Sequence, residues 1–320
     1  MLYGTIKILA KIAIKLYCRH IDLNKKALLQ LKGPVLLAAN HPDSFLDAII
    51  LCTLFDQPIY SLARGDAFKN KLYAKVLFKL KMLPVYRVTE GVENLEENYK
   101  TFDLCKEIFK KNGIVLIFSE GKCINEWHLR PLMKGTARLA ISSWEEGIPL
   151  KVLPVGINYS SFGKFSKNVK LFFGDFISAK DITTGEGHGK AIQSFNNNLS
   201  QQLQPFVFEI DKNDSVGLHQ AFYEPQSFLK KVLLFTPSIV GWLFHVPLFY
   251  PVRNYVRQHP IEKEHYDSIV VAILLLAYPI YLLVIAGFVF GFTHCWVSFL
   301  LLLILPFTAW AHVQLRKQIF

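Results

Sequence analysis

The chain has 320 residues, of which 52% are hydrophobic, and its formal net charge is +11 at pH 7. A chain that is both basic and rich in apolar residues favours attraction to an anionic membrane surface over binding to nucleic acid, for which a more polar composition is expected. Its five cysteines show no paired spacing, so a disulfide framework is not expected and the thiols should be reduced in a cytosol-facing protein.

Residues 1–20 predict an amphipathic helix in the membrane interface. Lys7, Lys11 and Lys15 recur every four residues among apolar side chains, and no cleavage site of a signal peptide follows them. A helix that packs on the following domain explains the same pattern, and the sequence does not decide between the two.

Residues 21–210 predict an α/β domain. Helical periodicity over 92–112, which ends at Gly113, separates short apolar runs with turn-like flanks. Those runs predict strands at 34–39, 113–118, 151–157 and 169–175. Strands that alternate with helices favour a layered sheet with helices packed against it.

The rest of the chain is predicted to meet the membrane. The runs 268–292 and 295–313 are each about as long as a bilayer crossing, and they predict a transmembrane hairpin within 268–320. Residues 211–267 predict a linker, and its run 232–250, with two prolines and a glycine, favours an interfacial or re-entrant segment over a span. Basic residues flank the hairpin and predict that both of its ends are cytoplasmic: Arg253, Arg257, Lys263, Arg316 and Lys317.

A histidine and an aspartate lie six residues apart in the stretch NHPDSFLD, residues 40–47. His41 follows a predicted strand, where open α/β sheets expose reactive groups, and Pro42 suits the first position of a helix. A carboxylate that accepts from one imidazole nitrogen leaves the other nitrogen as a base, so Asp47 is the candidate to orient His41. Because the chain has no GxSxG motif, the base would act on an external hydroxyl.

Four segments together resemble the glycerolipid acyltransferase family, whose members acylate glycerol 3-phosphate or 1-acylglycerol 3-phosphate. In the family's order they are NHPDSFLD (40–47), YSLARGDAF with LPVYR (60–68, 83–87), IFSEGKC to LRPLMKGTARLA (117–140) and VLPVGIN (152–158). The resemblance implies a central mixed sheet flanked by helices, as in glycerol-3-phosphate acyltransferases, and implies that His41 and Asp47 are the catalytic pair. The sequence departs from the family pattern at two points. Five residues lie between His41 and Asp47, a longer spacing that resembles eukaryotic-type glycerol-3-phosphate and dihydroxyacetone-phosphate acyltransferases. Ser119 stands where the family usually has proline.

An acceptor that carries a phosphate needs cations near the base, and the planar fork of arginine pairs with phosphate oxygens. The resemblance implies a phosphate-binding arginine in the second segment, and Arg64 is the first choice. Lys134 and Gly135 begin a predicted helix whose amino end favours an anion, and Glu120 is expected to order its loop. The predicted substrate-binding set is Arg64, Arg87, Glu120, Gly121, Lys134, Gly135 and Arg138.

The resemblance therefore implies transfer of a fatty acyl group from acyl-CoA or acyl carrier protein to a glycerol-phosphate-type hydroxyl. Lysophosphatidate is the first expected acceptor, with glycerol 3-phosphate or dihydroxyacetone phosphate second. We expect membrane lipids as partners, no cofactor, no metal and no nucleic acid, and a catalytic domain on the cytoplasmic side of the cell (inner) membrane. Two alternatives remain open: a metal-dependent phosphoesterase of lipid head groups, with Asp43 beside the His–Asp pair as a ligand, and a non-catalytic membrane protein.

Overall fold

The computed structural model describes residues 2–86, 95–182, 187–259 and 263–318. Seven strands form one sheet in the order β1-β7-β6-β2-β5-β3-β4. The strands are β1 (Cys18–Leu23), β2 (Val35–Ala39), β3 (Ile59–Arg64), β4 (Met82–Val85), β5 (Ile114–Phe118), β6 (Lys151–Tyr159) and β7 (Lys167–Phe173). Only β6 and β7 pair antiparallel within this described sheet, so the predicted mixed sheet is confirmed.

Helices cover both faces of the sheet and continue beyond it. They are α1 (Leu2–Tyr17), α2 (Ser44–Leu54), α3 (Lys71–Lys79), α4 (Leu95–Lys110), α5 (Lys134–Glu145), α6 (His188–Leu203), α7 (Ser215–Phe222), α8 (Phe228–Gln258), α9 (Tyr266–Thr293) and α10 (Leu301–Leu315). The helix predicted over 92–112 is α4, and residues 92–94 lie outside the described part of the chain.

The core has two halves, one on each face of the sheet. Leu37 of β2 packs with residues of α1, α2 and α9, whereas the adjacent Leu36 packs with residues of α4, α5 and α6. Every residue of β2 is buried, which explains its continuous apolar sequence. The strand that leads to His41 is therefore held on both faces and by strands on both sides.

The N-terminal helix is shorter than the sequence predicts. It ends at Tyr17, and residues from Cys18 onward form the edge strand β1, which pairs in parallel with β7. The prediction of a helix to residue 20 is therefore wrong for its last three residues, because their backbone completes the sheet. Ala10 and Ile14 are buried in the structure, as a helix packed on the domain requires.

Three C-terminal helical segments are long and apolar enough to cross a membrane, which agrees with the predicted membrane region. They are Phe228–Gln258, Tyr266–Thr293 and Trp296–Leu315. The α9–α10 hairpin is attached to the α/β domain at both of its ends. The Oγ of Ser268 accepts from the amide of Leu46 (3.0 Å), and the Oγ of Ser166 donates to the carbonyl of Val313 (2.6 Å).

Helix α8 is continuous although it contains three prolines. Its first turn reaches the domain end of α10, where Lys230 Nζ donates to Gln314 Oε1 (2.7 Å), and its last turn reaches the domain end of α9, where the Arg257 guanidinium lies 5.8 Å from the Tyr266 ring centre. Both ends of α8 thus lie on the domain side of the hairpin. This arrangement is the one expected of an interfacial or re-entrant segment, which stays a prediction.

Candidate functional site

The site begins at the carboxyl end of the central strand β2. The buried side chain of Asn40 accepts from the amide of Ile157 (2.7 Å) and donates to its carbonyl (3.0 Å), which extends the contact between β2 and β6 beyond the last paired residue. His41 follows directly. Helix α2 begins at Ser44 and has Asp43 at its N-cap position, so the prediction that Pro42 is the first helical residue is wrong.

His41 and Asp47 form a hydrogen-bonded pair. Nδ1 of His41 lies 2.8 Å from Oδ2 of Asp47, whose side chain is fully buried, whereas that of His41 is 16% exposed. Asp47 lies in the first turn of α2, and the turn at residues 42–43 brings the imidazole back to it. The same Oδ2 accepts from the amide of Asp43 (2.9 Å), and Oδ1 accepts from the hydroxyl of Tyr159 (2.7 Å). Three donors therefore hold the carboxylate in place.

The orientation of the His41 ring plane is also fixed. It stacks on the ring of Phe118, the last residue of β5, with ring centres 3.8 Å apart and planes 12° apart. Since Nδ1 faces Asp47, the ring nitrogen left to act on a ligand is Nε2. Such an arrangement lets His41 accept a proton from a bound hydroxyl while Asp47 stabilises the resulting imidazolium.

Glu120 ties the His41 turn to the loop that follows β5. Its carboxylate accepts from the backbone amide of His41 (3.0 Å), the backbone amide of Arg130 (3.0 Å) and the Arg130 guanidinium (3.2 Å). Burial raises the pKa of Glu120, while these donors and the charge of Arg130 act in the opposite direction. Gly121 follows with φ of +68°, and a Cβ there would lie 2.9 Å from Cγ of Met133, so this position favours glycine.

The predicted phosphate-binding residues are distributed along the same edge of the sheet. Arg64 ends β3, two strand spacings or about 10 Å from β2. Its guanidinium binds Asp66 (2.6 Å from Nη2 to Oδ2), and its side chain is 40% exposed. Lys134 is exposed at the first residue of α5, with Gly135 beside it and an exposed Arg138 one turn later. Arg87 lies outside the described residues.

Ser119 connects the amino end of α5 to the strand that carries Phe118. Its carbonyl accepts from the amide of Met133 (2.7 Å), and its hydroxyl accepts from that of Thr136 (3.0 Å). The serine that replaces the family's usual proline thus gains a side-chain hydrogen bond to α5. Its position brings Lys134 to the carboxyl edge of the sheet, on the same side as His41.

A second buried polar group lies beneath the His41 turn. Lys167 Nζ, with no exposed surface, lies 2.8 Å from Asp43 Oδ2 and 2.6 Å from Asp267 Oδ2, and Asp267 also accepts from the hydroxyl of Tyr17. Burial alone would lower the pKa of Lys167, but the two carboxylates raise it. Burial and the negative charge of Asp267 raise the pKa of Asp43 well above its usual range. One ammonium shared by two carboxyls therefore fixes α2 against β7 and α9.

Tyr159 and Lys167 are two residues of the site that were not predicted from the sequence. A period of two along β6 and β7 places Tyr159 on the face of Ile157, and Lys167 on the face of Val169 and Leu171. That alternation was the available signal, since a polar group on a core face requires a partner.

Most of the carboxylate oxygens that a metal ion at the His–Asp pair would need already have hydrogen-bond partners. The Oδ2 of Asp43 is held by Lys167, and both oxygens of Asp47 accept hydrogen bonds. Within the described ranges, no group of three or more His, Cys, Asp or Glu side chains is arranged to hold a metal ion.

Comparison with known proteins gives a family match to less than half of the chain, within its N-terminal part. Residues 20–158 match the family model described as Acyltransferase. A comparison with curated protein sequences gave no match. Among solved structures, the chain is similar to that of the 1-acyl-sn-glycerophosphate (LPA) acyltransferase, PlsC, from Thermotoga maritima, with 12% identity and a TM-score of 0.43 over 64% of this chain and 78% of that one.

Proposed function

We propose that this chain, whose residues 20–158 match the Acyltransferase family model, transfers a fatty acyl group to the hydroxyl of a glycerol-phosphate-type acceptor. The acyl donor is acyl-CoA or acyl carrier protein, and lysophosphatidate is the first candidate acceptor. Glycerol 3-phosphate and dihydroxyacetone phosphate are second. The observation that carries the proposal is the His41–Asp47 pair, oriented on one nitrogen and partly exposed.

In the proposed reaction, Nε2 of His41 takes the proton of the acceptor hydroxyl as its oxygen attacks the thioester carbonyl. The tetrahedral intermediate collapses with cleavage of the C–S bond, and the leaving thiolate takes the proton back from the imidazolium. Asp47 holds the imidazole in the required tautomer throughout, and no covalent acyl-enzyme is needed. General-base catalysis of this kind contributes about 10²–10⁴-fold to the rate.

Cations at the same edge of the sheet support a phosphate-bearing acceptor. Arg64 and Lys134 lie there on β3 and α5, and an acceptor phosphate would compete with Asp66 for the Arg64 guanidinium. Helix α1 and the C-terminal helices support an acceptor that arrives from the bilayer. We place the domain on the cytoplasmic side, because Arg253, Arg257 and Arg316 lie at the domain ends of the helices.

The experiment uses the full chain, purified in detergent and supplied with acyl-CoA or acyl carrier protein and a panel of lysolipid and phosphoglycerol acceptors. Mass spectrometry identifies the acylated products, and a phosphate assay follows head-group hydrolysis. We expect acylation of lysophosphatidate without phosphate release, and a loss of at least about 100-fold in turnover for His41→Ala.

His188→Ala is the matched control. His188 pairs with Glu145 at the carboxyl end of α5, the edge of the sheet opposite to His41. This variant should keep wild-type turnover. Near-normal acyl transfer by His41→Ala would overturn the mechanism, and phosphate release that stops on chelation would favour a metal-dependent phosphoesterase instead.

A further inference from the structure

A cavity of about 320 Å³ lies between α1 and the three C-terminal helices, away from the His41 pair. Its walls are mainly apolar, with Ile12 from α1, Trp242 from α8 and Leu274 from α9. The volume falls within the roughly 300–1,000 Å³ of ligand-binding cavities. Neither His41 nor Asp47 lines it, so it is a different site from the proposed acceptor site.

One end of this cavity is strongly cationic. Arg253 and Arg316 both line it, whereas no carboxylate of the described residues does. The Nη1 atom of Arg316 is buried and has no hydrogen-bond partner in the described part of the chain, and the guanidinium lies 3.8 Å from the ring centre of Phe165. A buried guanidinium nitrogen without an acceptor is costly, so this end favours a ligand with acceptor oxygens, and its charge favours an anionic one.

Arg19 adds a third guanidinium behind Arg316. Its Nη2 donates to the carbonyl of Arg316, and its own Nη1 is likewise buried without a partner among the described residues. Burial, together with the charge of Arg316, lowers the pKa of Arg19 to about 10. Arg19, Arg253 and Arg316 thus lie in one region, and none of them forms a salt bridge with a carboxylate of the described residues.

The cationic end of the cavity lies on the domain side and its apolar end lies deeper in the helical hairpin, as the binding of an amphiphile requires. Arg316 follows the last residue of α10, on the domain side, whereas the α9 wall runs from Val271 to Pro279, about 12 Å into the apolar hairpin. An anionic head at the domain side and an acyl chain along α9 would match both ends.

We propose that this cavity binds one molecule of an anionic phospholipid from the surrounding membrane. Its phosphate lies between Arg253 and Arg316, and one acyl chain lies against α1, α8 and α9. Tyr17, which lines the cavity, donates to Asp267 and thereby links the lipid site to the Lys167 group beneath the His41 turn.

The test measures binding rather than acyl transfer. The full chain, with His41→Ala to prevent turnover, is placed in phosphatidylcholine nanodiscs that contain increasing fractions of phosphatidic acid brominated on its acyl chains. Bromine quenches nearby tryptophans, and Trp242 in the cavity wall is the reporter. Phosphatidylcholine brominated in the same way measures quenching by lipid that merely surrounds the helices.

We expect a saturable quenching component with brominated phosphatidic acid that Trp242→Phe abolishes. Arg253→Gln with Arg316→Gln should raise the half-saturating lipid fraction by about tenfold or more, because charge-assisted contacts to phosphate are lost. The control Arg257→Gln lies one turn from Arg253 on α8 but outside the cavity, and it should shift binding less than about twofold.

Two results would overturn the proposal: equal half-saturation with the two brominated lipids, or unchanged binding by the double variant. Since Arg316 is partly buried, Arg253→Gln alone is measured beside it, with thermal unfolding to verify that both variants fold. An active enzyme without this binding would refute the lipid site but leave the proposed acyl transfer intact.

Discussion

The hydroxyl of Tyr159 allows a sharp test of how the candidate catalytic pair is held. Tyr159 is fully buried at the end of β6, and its hydroxyl donates to Oδ1 of Asp47 (2.7 Å). The Tyr159→Phe substitution keeps the ring and removes this donor. The buried Oδ1 then has no hydrogen bond, and Asp47 is held only by His41 and the amide of Asp43.

The expected magnitude follows from the loss of a buried hydrogen bond to a charged acceptor, about 1.5–3 kcal/mol. If that loss appears in the transition state, kcat falls by roughly 10- to 100-fold, because about 1.4 kcal/mol corresponds to tenfold in rate. The KM for the acceptor should change little, since the hydroxyl bonds to Asp47 rather than to a ligand. Steady-state acylation assays at saturating donor measure both constants.

Two comparisons make this test decisive. Tyr60→Phe removes a half-buried hydroxyl that bonds Lys81 near the opposite end of β3, and it should leave kcat unchanged. Tyr159→Phe in an Asp47→Asn background should cost much less than in wild type, because the partner is already altered. A kcat within twofold of wild type, or an equal loss in both backgrounds, would refute the reasoning.

Three further substitutions test other parts of the site. Lys167→Met leaves two buried carboxyls without their cation and should lower the free energy of unfolding by about 3–5 kcal/mol, whereas the partly exposed Lys170→Met should lower it by less than about 1 kcal/mol in denaturant titrations. Burial keeps the Asp43 carboxyl protonated to a higher pH in the folded than in the unfolded state, and Lys167→Met removes the cation that opposes this effect, so the stability of the variant relative to wild type should fall as pH rises above about 4; a pH-independent difference from wild type would contradict this. Gly121→Ala should lower Tm because of its positive φ and the contact with Met133, while Gly135→Ala, with open space around it in α5, should not, and equal Tm values would contradict the strain argument. Arg64→Gln should raise the KM for a phosphorylated acceptor by about tenfold but not that for the acyl donor, with partial recovery in Arg64→Lys, and an unchanged acceptor KM would remove Arg64 from the site.

The sequence predicts the centre of the fold better than its edges. Strands β2 and β5 are buried on both faces, so their sequences are continuous apolar runs that stand out from their surroundings. In contrast, β4 is a four-residue edge strand that contains Pro84, and β1 directly continues a helix. Edge strands of this kind are defined by their partners in the sheet, which periodicity alone does not show.

The site combines local contacts, which the sequence reveals, with contacts between distant parts of the chain, which it does not. His41 and Asp47 lie six residues apart where β2 leads into α2, and they could be recognised by residue type and spacing. Tyr159 and Lys167 reach the same region only because β6 lies beside β2 in the sheet and β7 lies beside β6, more than 100 residues later in the chain than the His41 turn. Asp267 arrives from the start of α9, a helix whose apolar sequence predicts a membrane span rather than a contribution to a buried ion pair.

The hairpin of α9 and α10 has a consequence for how the chain enters a bilayer. From Ser268 to Leu315 the sequence contains no Lys, Arg, Asp or Glu, and the short reversal at His294 and Cys295 adds none. Each such residue at the centre of a bilayer costs about 2.5–3.5 kcal/mol in biological insertion, so this stretch can pass into lipid as a helical pair without carrying a formal charge. Its two ends then remain on one side, where the finished α/β domain can receive both.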